Sequence, residues 1–368
     1  MKNLLAFLLC SFLLFPFTLK GQKTVEKELE ALFASEIVDD GPGGSVLLLK
    51  GEEVVFLKNF GLADLKSKEK ITENSIFNTG SISKTFVANA ILILHERGEL
   101  SIEDGIDKYF PDFKDPSLSA KVKIKHLLSH SSGLPDIRKV SENPAFFLTA
   151  KDEENWAPIK QAAKLVFQPG EQFQYSNPAF NGLALIIEKV SGQSWQSFVK
   201  ENIFEPAGMR NSTITNGQHP QKGVAHAYVQ SGKIFQESDY GEVPTFAAAG
   251  NGGIWSSVLE LAKYEKALRN HVFLSESLTE ESREVLRHEN WTQETLPFLG
   301  YGWFIGNKDG FGVNYVYHTG SQGGFRAFYV SVPDKDLLFI GLFNKPSVRY
   351  RNFIEEGLAI FKKYDWLE

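Results

Sequence analysis

The sequence has a single cysteine, Cys10, among its 368 residues. This cysteine lies in an apolar N-terminal run, so a chain that loses the run to processing has no cysteine left. A disulfide framework, a thiolate zinc site and a cysteine nucleophile are then all excluded. At 42% hydrophobic residues, the chain is instead long enough to bury a sizeable core.

Clusters of basic residues are also missing. The formal net charge is −6, and no stripe of lysine and arginine of the kind that neutralises phosphates occurs, so we expect no nucleic-acid partner. Internal repeats, low-complexity tracts and long linkers are absent as well. We therefore expect one folding unit, and no feature of the sequence predicts its oligomeric state.

Residues 1–21 are predicted to be a secretory signal peptide, because Lys2 precedes an apolar run from Leu4 to Leu19. The length of this run also fits an alternative, an uncleaved anchor. No other stretch approaches the length of a membrane span. After cleavage we expect no stable membrane insertion, and the lack of disulfides in an exported chain, residues 22–368, fits a periplasmic or secreted protein.

Strand patterns occur near both ends of the chain. They are SVLLLK (45–50), EVVFLKN (53–59), YGWFIG (301–306), VNYVYHTG (313–320), FRAFYVSV (325–332) and DLLFIGLFN (336–344). The first two are separated by Gly51 and Glu52, a short turn that predicts a hairpin. Strands at both ends of a folding unit predict one antiparallel sheet to which both termini contribute.

Helical patterns fill the rest of the chain. Helices are predicted over 24–38 and 351–363, and several more, including one at 158–167, lie between about 100 and 215. The predicted fold class is therefore α+β, an antiparallel sheet flanked by helices with an all-helical subdomain inserted at roughly 79–215.

The stretch GSISKTF places Ser81 three positions before Lys84, where the chain enters an apolar helix. Residues i and i+3 share a helix face, so the hydroxyl and the ammonium meet if Ser81 lies in the first turn. Such a pair fits an activated nucleophile. It also fits an ordinary helix start, since serine is favoured as an N-cap.

Two further stretches compete for the same site. QYSNPAF offers Tyr175 and Asn177, which face the same way in an extended segment. VYHTGSQGG places His318, Thr319 and Gly320 at the end of a strand, before a glycine-rich turn. Each pattern is weak alone, because such short motifs occur by chance.

Together, in this order and at these separations, the three motifs resemble those of the penicillin-recognising serine enzymes, the superfamily of β-lactamases and penicillin-binding proteins. FNTG (77–80), LSIED (100–104) and HLLSHSSGLP (126–135) look like the class C β-lactamase branch, which also contains DD-peptidases and esterases. The resemblance covers residues 30 to 345 approximately, and it implies a β-lactamase/transpeptidase-like fold.

The resemblance also implies catalytic roles. Ser81 is the acylated nucleophile, and Lys84 and Tyr175 share the work of the base that a serine hydroxyl needs at neutral pH. Asn177 binds the substrate amide and steadies Lys84. The backbone N–H groups of Ser81 and Ser321 form an oxyanion hole, in which each donor is worth about 3 to 4 kcal/mol in other hydrolases.

The substrate-binding strand implied by the resemblance carries His318, Thr319, Gly320 and Ser321. His318 stands where β-lactamases usually have lysine, which puts recognition of a substrate carboxylate in doubt, since a histidine is only partly charged at neutral pH. If His318 recognises a carboxylate, it must be protonated. Arg326 is an alternative source of fixed positive charge, and a surface arginine on a strand is its simpler interpretation.

No metal or cofactor is expected. His126 and His130 are four positions apart, a spacing that can bind zinc, but the glutamate of an H-E-x-x-H motif is absent. The sequence also has no G-x-S-x-G nucleophile elbow. The favoured function is a serine hydrolase that acts through an acyl-enzyme on a small-molecule or peptide substrate, an amide or an ester. The alternative is a catalytically silent penicillin-binding-type sensor that keeps the fold and binds a ligand.

Overall fold

The structure, a computed structural model, describes residues 17–36, 39–139, 142, 146–214, 223–231, 234–237, 247, 249–293, 298–306, 308–346 and 348–368. Most of the predicted signal peptide lies outside these residues. Among the residues that are described, no helix has the length and apolar character needed to cross a bilayer.

The described strands are β1 Gly44–Lys50, β2 Glu53–Phe60, β3 Leu62–Asp64, β4 Glu69–Lys70, β5 Phe77–Asn78, β6 Thr213–Ile214, β7 Tyr228–Ser231, β8 Ile234–Glu237, β9 Ile254–Ser256, β10 Phe298–Leu299, β11 Phe304–Gly306, β12 Tyr315–Gln322, β13 Phe325–Val332 and β14 Leu337–Phe343. The main sheet has the order β10-β11-β12-β13-β14-β1-β2. Every neighbouring pair in it is antiparallel. The predicted sheet with strands from both ends of the chain is therefore confirmed.

The described α-helices are α1 Phe17–Phe33, α2 Ser83–Glu96, α3 Pro116–Ser119, α4 Ile124–Leu128, α5 Phe146–Thr149, α6 Asp152–Trp156, α7 Asn177–Ser191, α8 Trp195–Val199, α9 Glu205–Ala207, α10 Val258–Arg269, α11 Glu276–Ser282, α12 Lys308–Phe311 and α13 Asn352–Lys363. Helices α2 to α9 follow one another between β5 and β6, and the predicted α+β fold is confirmed. The boundaries of a helical subdomain remain a prediction.

One sequence-based helix, at 158–167, is wrong. The chain forms only a short 3₁₀ turn at Ile159–Gln161 and then runs without regular structure. Pro158 interrupts the helical hydrogen bonds before the turn. Beyond it, the Val166 N–H donates to the Gly133 carbonyl instead of to a residue one helical turn earlier.

The main sheet separates two apolar cores, because successive residues of a strand point to opposite faces. On one face Leu48 and Phe339 pack with α1 and α13. On the other face Leu47 and Ile340 pack with the core that includes α2, α7 and α10. The sheet is thus covered by helices on both sides, and β12 runs past the start of α2.

A buried charge cluster ties α10 to β13. Glu265 is 2% exposed and accepts from Arg283 (2.7 and 3.0 Å), Arg269 (2.9 Å) and the Ser331 hydroxyl (2.6 Å), and also from the Tyr329 hydroxyl. The two arginines outweigh the effect of burial and lower the pKa of Glu265 to about 2. This contribution to stability is present above the carboxyl's unfolded pKa of about 4.3 and is lost as the pH falls toward 2.

Replacement of Glu265 by glutamine is expected to lower the free energy of unfolding by about 3 to 5 kcal/mol, because it leaves buried guanidinium groups without their counter-charge. Urea unfolding at pH 7 measures the loss. The exposed Glu280→Gln change on α11 is the control and should stay within about 0.5 kcal/mol of the parent protein. A loss below 1 kcal/mol for Glu265→Gln would contradict the argument.

Candidate active site

Ser81 and Lys84 meet at the start of α2. Ser81 lies in a 3₁₀ turn, Gly80–Ile82, that leads directly into the helix, and Lys84 belongs to the first helical turn. The Lys84 Nζ lies 3.0 Å from the Ser81 Oγ. The contact expected from the spacing is therefore formed, and the Ser81 hydroxyl is partly exposed while the lysine is not.

Lys84 is fully buried, which is unusual for a lysine. Its amine donates to the main-chain carbonyl of Asn251 (2.7 Å) in addition to its contact with Ser81. Burial, and secondarily the positive charge of Arg138, lowers the pKa of Lys84 well below its usual value. A lysine that loses its charge in this way can accept a proton from the serine.

Tyr175 and Asn177 form the facing wall. Tyr175 lies in an irregular segment, its ring centroid is 5.2 Å from the Lys84 Nζ, and Ser81 is near enough to its phenol to act on the pKa of that group. Although 37% of the residue is exposed, its surroundings are enclosed enough for burial to raise the pKa of the phenol. Asn177 is the first residue of α7, after the N-cap Ser176, and lines the same cavity.

Strand β12 brings the third motif against the serine. A β-carbon on Gly320 would lie 2.0 Å from the Thr79 carbonyl oxygen, and one on Gly80 would lie 2.7 Å from the Ser321 backbone nitrogen. Both glycines are therefore required for this close approach. The approach brings the Ser321 N–H to the turn that carries Ser81. An oxyanion hole made of the backbone N–H groups of Ser81 and Ser321 requires this arrangement.

His318 is buried and neutral at neutral pH. Its Nδ1 lies 2.8 Å from the Thr319 carbonyl oxygen, so Nδ1 carries the proton and donates it there. Burial, and secondarily the positive charge of Lys84, lowers the pKa of His318 to about 3. This burial, which the sequence alone does not reveal, argues against recognition of a carboxylate by a protonated His318 at neutral pH, and the role of His318 stays a prediction.

A cavity of about 640 Å³ joins these groups. Its lining residues are Ser81, Phe173, Tyr175, Asn177, Phe304, Tyr315, Tyr317, His318, Thr319, Ser321, Tyr350, Arg351, Ile354 and Glu355. All the predicted site residues except the buried Lys84 and Gly320 line it. Aromatic rings form much of the remaining wall, and residues at the start of α13 also contribute to it.

The positive charge at this cavity comes from Arg351, which the sequence did not single out. Arg351 is exposed beside α13, and its charge acts to lower the pKa of Tyr175, against the larger effect of burial. Arg326, the residue considered from sequence, donates to the carbonyls of Gly323 and Phe325 and is not among the lining residues. The simpler interpretation of Arg326 therefore holds.

Asp152, a buried residue that the sequence analysis also missed, holds the loop that contacts the Lys84 amine. The Asp152 Oδ1 accepts from the Gly250 N–H (2.8 Å) and from the Asn181 side chain (2.7 Å), and Oδ2 accepts from the Trp195 indole (2.8 Å). The Asn181 amide also donates to the Asn251 Oδ1 (3.2 Å). Asp152 thus fixes the loop whose carbonyl holds Lys84.

His126 and His130 do not share a helix face. Helix α4 ends at Leu128, and His130 adopts a left-handed φ of +53°. The ring centroids of His126 and His288 are 5.0 Å apart. His130 instead stacks on Tyr175, with 4.4 Å between the ring centroids. In the described part of the chain, no group of three or more potential ligands is placed to hold a metal ion.

The antiparallel sheet with helices between its strands, and the meeting of Ser81, Lys84 and Tyr175, match the fold and the motif order of the penicillin-recognising serine enzymes. The Beta-lactamase family model matches residues 30–357 of the chain. The protein belongs to this family, within the superfamily of serine β-lactamases and penicillin-binding proteins.

Two relatives illustrate the similarity. The chain is 30% identical over 339 residues to penicillin-binding protein 4* of Bacillus subtilis, covering 87% of this chain and 72% of that protein. It is 25% identical over 318 residues to protein flp of Staphylococcus aureus, covering 85% of this chain and 62% of that protein. The chain therefore spans less than two thirds of the length of flp.

Solved structures share the fold. The octameric penicillin-binding protein homologue from Pyrococcus abyssi superposes with a TM-score of 0.76 at 29% identity, over 92% of this chain and 76% of that chain. The D-amino acid amidase from Ochrobactrum anthropi, complexed with L-phenylalanine amide, gives a TM-score of 0.74 at 20% identity, over 94% and 99%. The second likeness concerns the fold alone.

Proposed function

We propose that this protein is a serine hydrolase that forms an acyl-enzyme at Ser81 with a peptide, amide or ester. The observation that carries this proposal is the buried Lys84 amine, 3.0 Å from the Ser81 Oγ, in surroundings that lower its pKa. A charged lysine cannot take the serine proton, whereas a neutral amine can. A binding protein without catalytic activity does not need a buried lysine with a lowered pKa beside a serine.

The remaining groups fit the steps of acyl transfer. As Ser81 attacks the carbonyl carbon, Lys84 takes its proton, and the backbone N–H groups of Ser81 and Ser321 stabilise the oxygen that becomes negative. Tyr175 then relays the proton from Lys84 to the leaving group, whose bond to the carbonyl carbon breaks and leaves the acyl group on Ser81. Water then attacks the acyl-enzyme through the same groups and releases the acid.

The cavity favours a substrate with an apolar part and an anionic end. Aromatic side chains line it, and so does Arg351, which is exposed and forms no ion pair with the described residues. A short peptide with a terminal carboxylate, including a D-amino acid peptide, suits this lining, as does a small ester. These are the substrates of a DD-peptidase or an esterase.

Turnover and acylation test the proposal together. The first experiment measures hydrolysis of an activated ester, an acyl-D-alanyl-D-alanine peptide and a D-amino acid amide. The second measures the intact mass of the protein after incubation with a penicillin or a fluorophosphonate. The proposal expects turnover of at least one substrate and a mass gain of one acyl or phosphonyl group. Ligand binding without turnover or a mass gain would establish the silent sensor instead.

Carboxylate recognition is expected to depend on Arg351 and not on the protonation of His318. Replacement of Arg351 by glutamine should lower kcat/KM for a carboxylate-bearing peptide about tenfold relative to the same peptide as a neutral amide, which corresponds to about 1.4 kcal/mol. In the parent protein, the ratio of the two kcat/KM values should change less than about threefold from pH 5.5 to 8, since His318 stays neutral.

The matched control is Arg349→Gln, two positions away, because Arg349 pairs with Glu356 at 3.2 Å and is not among the cavity's lining residues. It should leave the ratio unchanged. A tenfold fall in the ratio as the pH rises through 6 to 7 would instead assign recognition to a protonated histidine.

A further inference from the structure

His130 has a position that no step of the proposed reaction uses. It is 2% exposed, and it follows helix α4 with a φ of +53°. Histidine is one of the few residues other than glycine found with some frequency in this left-handed region. The turn ends the helix and directs the imidazole toward the segment that carries Tyr175.

Three contacts hold that segment from both sides of the tyrosine. The His130 carbonyl accepts from the Gln174 N–H at 2.8 Å, and its Nδ1 accepts from the Ser176 N–H at 3.0 Å. The imidazole also stacks on the Tyr175 ring, with 4.4 Å between centroids and 29° between planes. One residue thus binds the neighbour before Tyr175, the neighbour after it and the ring itself.

The tautomer of His130 follows from these bonds. Because Nδ1 accepts a hydrogen bond, it carries no proton, and the neutral ring holds its proton on Nε2. Burial is the largest cause that lowers the pKa of His130 well below its usual value. The accepting nitrogen is therefore available throughout the neutral range.

We infer that His130 is a positioning residue for Tyr175, and that it fixes the phenol where the leaving group receives its proton. The inference rests on the proposed hydrolase function. It goes beyond that function because no reacting atom touches His130, and the residue acts through the hydrogen bonds on either side of Tyr175. A displacement of about 1 Å in such a group can cost up to about 100-fold in rate.

The dependence on the leaving group separates positioning from general support of the fold. A p-nitrophenyl ester leaves as a stable anion and needs little protonation, whereas an amide of the same acyl group needs a proton to leave. Loss of Tyr175 alignment should therefore slow the amide far more than the ester. A merely destabilised protein loses activity on both substrates equally.

Two replacements divide the contacts of His130. His130→Phe keeps an aromatic ring against Tyr175 and removes the acceptor for the Ser176 N–H. His130→Asn keeps an acceptor near the position of Nδ1, tolerates the left-handed backbone and removes the ring. The control is His126→Phe, because His126 is also a buried imidazole whose Nδ1 accepts a backbone N–H, that of Lys123 at 3.0 Å, but it contacts His288.

The experiment measures kcat and KM of each variant on the amide and on the p-nitrophenyl ester, with Tyr175→Phe as reference. His130→Phe should lower kcat on the amide about tenfold or more with KM little changed, while kcat on the ester falls less than about threefold. His130→Asn should recover most of the loss, and His126→Phe should keep the parent's amide-to-ester ratio. Equal losses on both substrates, or no loss, would overturn the inference.

Hydrogen exchange provides a readout that does not depend on catalysis. In a Ser81→Ala background, backbone exchange in residues 173–177 should be faster with His130→Phe than with His130→Asn. If His130→Phe speeds exchange in this segment but the parent protein hydrolyses neither substrate, His130 does hold the segment. Its role in proton transfer is then overturned together with the proposed function. Equal exchange in the two variants would show that His130 does not hold this segment, and would overturn the inference.

Discussion

Replacement of Ser81 by alanine is expected to abolish covalent labelling by penicillin or fluorophosphonate and to lower kcat/KM on an activated ester by about 10³-fold or more. The hydroxyl is partly exposed to the cavity and lies 3.0 Å from the Lys84 amine. Among the described residues that line the cavity, Ser81 is the one serine that lies beside the Lys84 amine. Intact mass spectrometry and peptide mapping measure the label, and steady-state kinetics measure the turnover.

The control for this change is Ser321→Ala. Ser321 also lines the cavity and is exposed, so it is equally accessible to the reagent, and its backbone N–H survives the substitution. This variant should still accept one label per chain at Ser81. Labelling that persists in Ser81→Ala would assign the nucleophile to another residue.

Lys84 and Tyr175 are expected to behave as one unit. Lys84→Met and Tyr175→Phe should each lower kcat on an amide substrate by about 10² or more, since each interrupts the transfer of the Ser81 proton to the leaving group. The double variant should lose little beyond the worse single change, because groups that act in one step are not additive. Methionine is used because Lys84 is fully buried and alanine would leave a cavity.

Circular dichroism and thermal unfolding establish that each of these variants is folded before its kinetics are compared. Losses that multiply in the double variant would show that the two residues act in separate steps. Near-normal turnover in both folded single variants would remove them from the mechanism.

The sheet could be predicted because its strands carry local patterns. Residues 325–332 were predicted as a strand and form β13 with the same bounds, and the hairpin of β1 and β2 was also predicted. The shorter β11 begins only at Phe304, since Gly302 before it has a φ of +75° that no strand adopts. Residues 158–167 failed as a helix because a hydrogen bond to the distant Gly133 replaced the local ones.

The site could be predicted where its chemistry follows from spacing or motif. Ser81 and Lys84 meet because three positions equal about one helical turn. No spacing or motif pointed to Asn251 or Asp152. Asn251 acts through its main-chain carbonyl, and Asp152 acts on a loop that lies about 100 positions further along the chain. Arg351 was expected only as the start of a helix, and which end of α13 faces the cavity is decided by tertiary packing.

The closure of the main sheet by strands from opposite ends of the chain determines when the protein can fold. The Gly43 N–H donates to the Asn344 side chain across 301 positions of sequence, and β1 pairs along its whole length with β14. Contacts between such distant residues form slowly, because the intervening chain must first be brought together. During synthesis β1 and β2 emerge long before β14, so they form an incomplete sheet edge that is open to aggregation until β14 has been made.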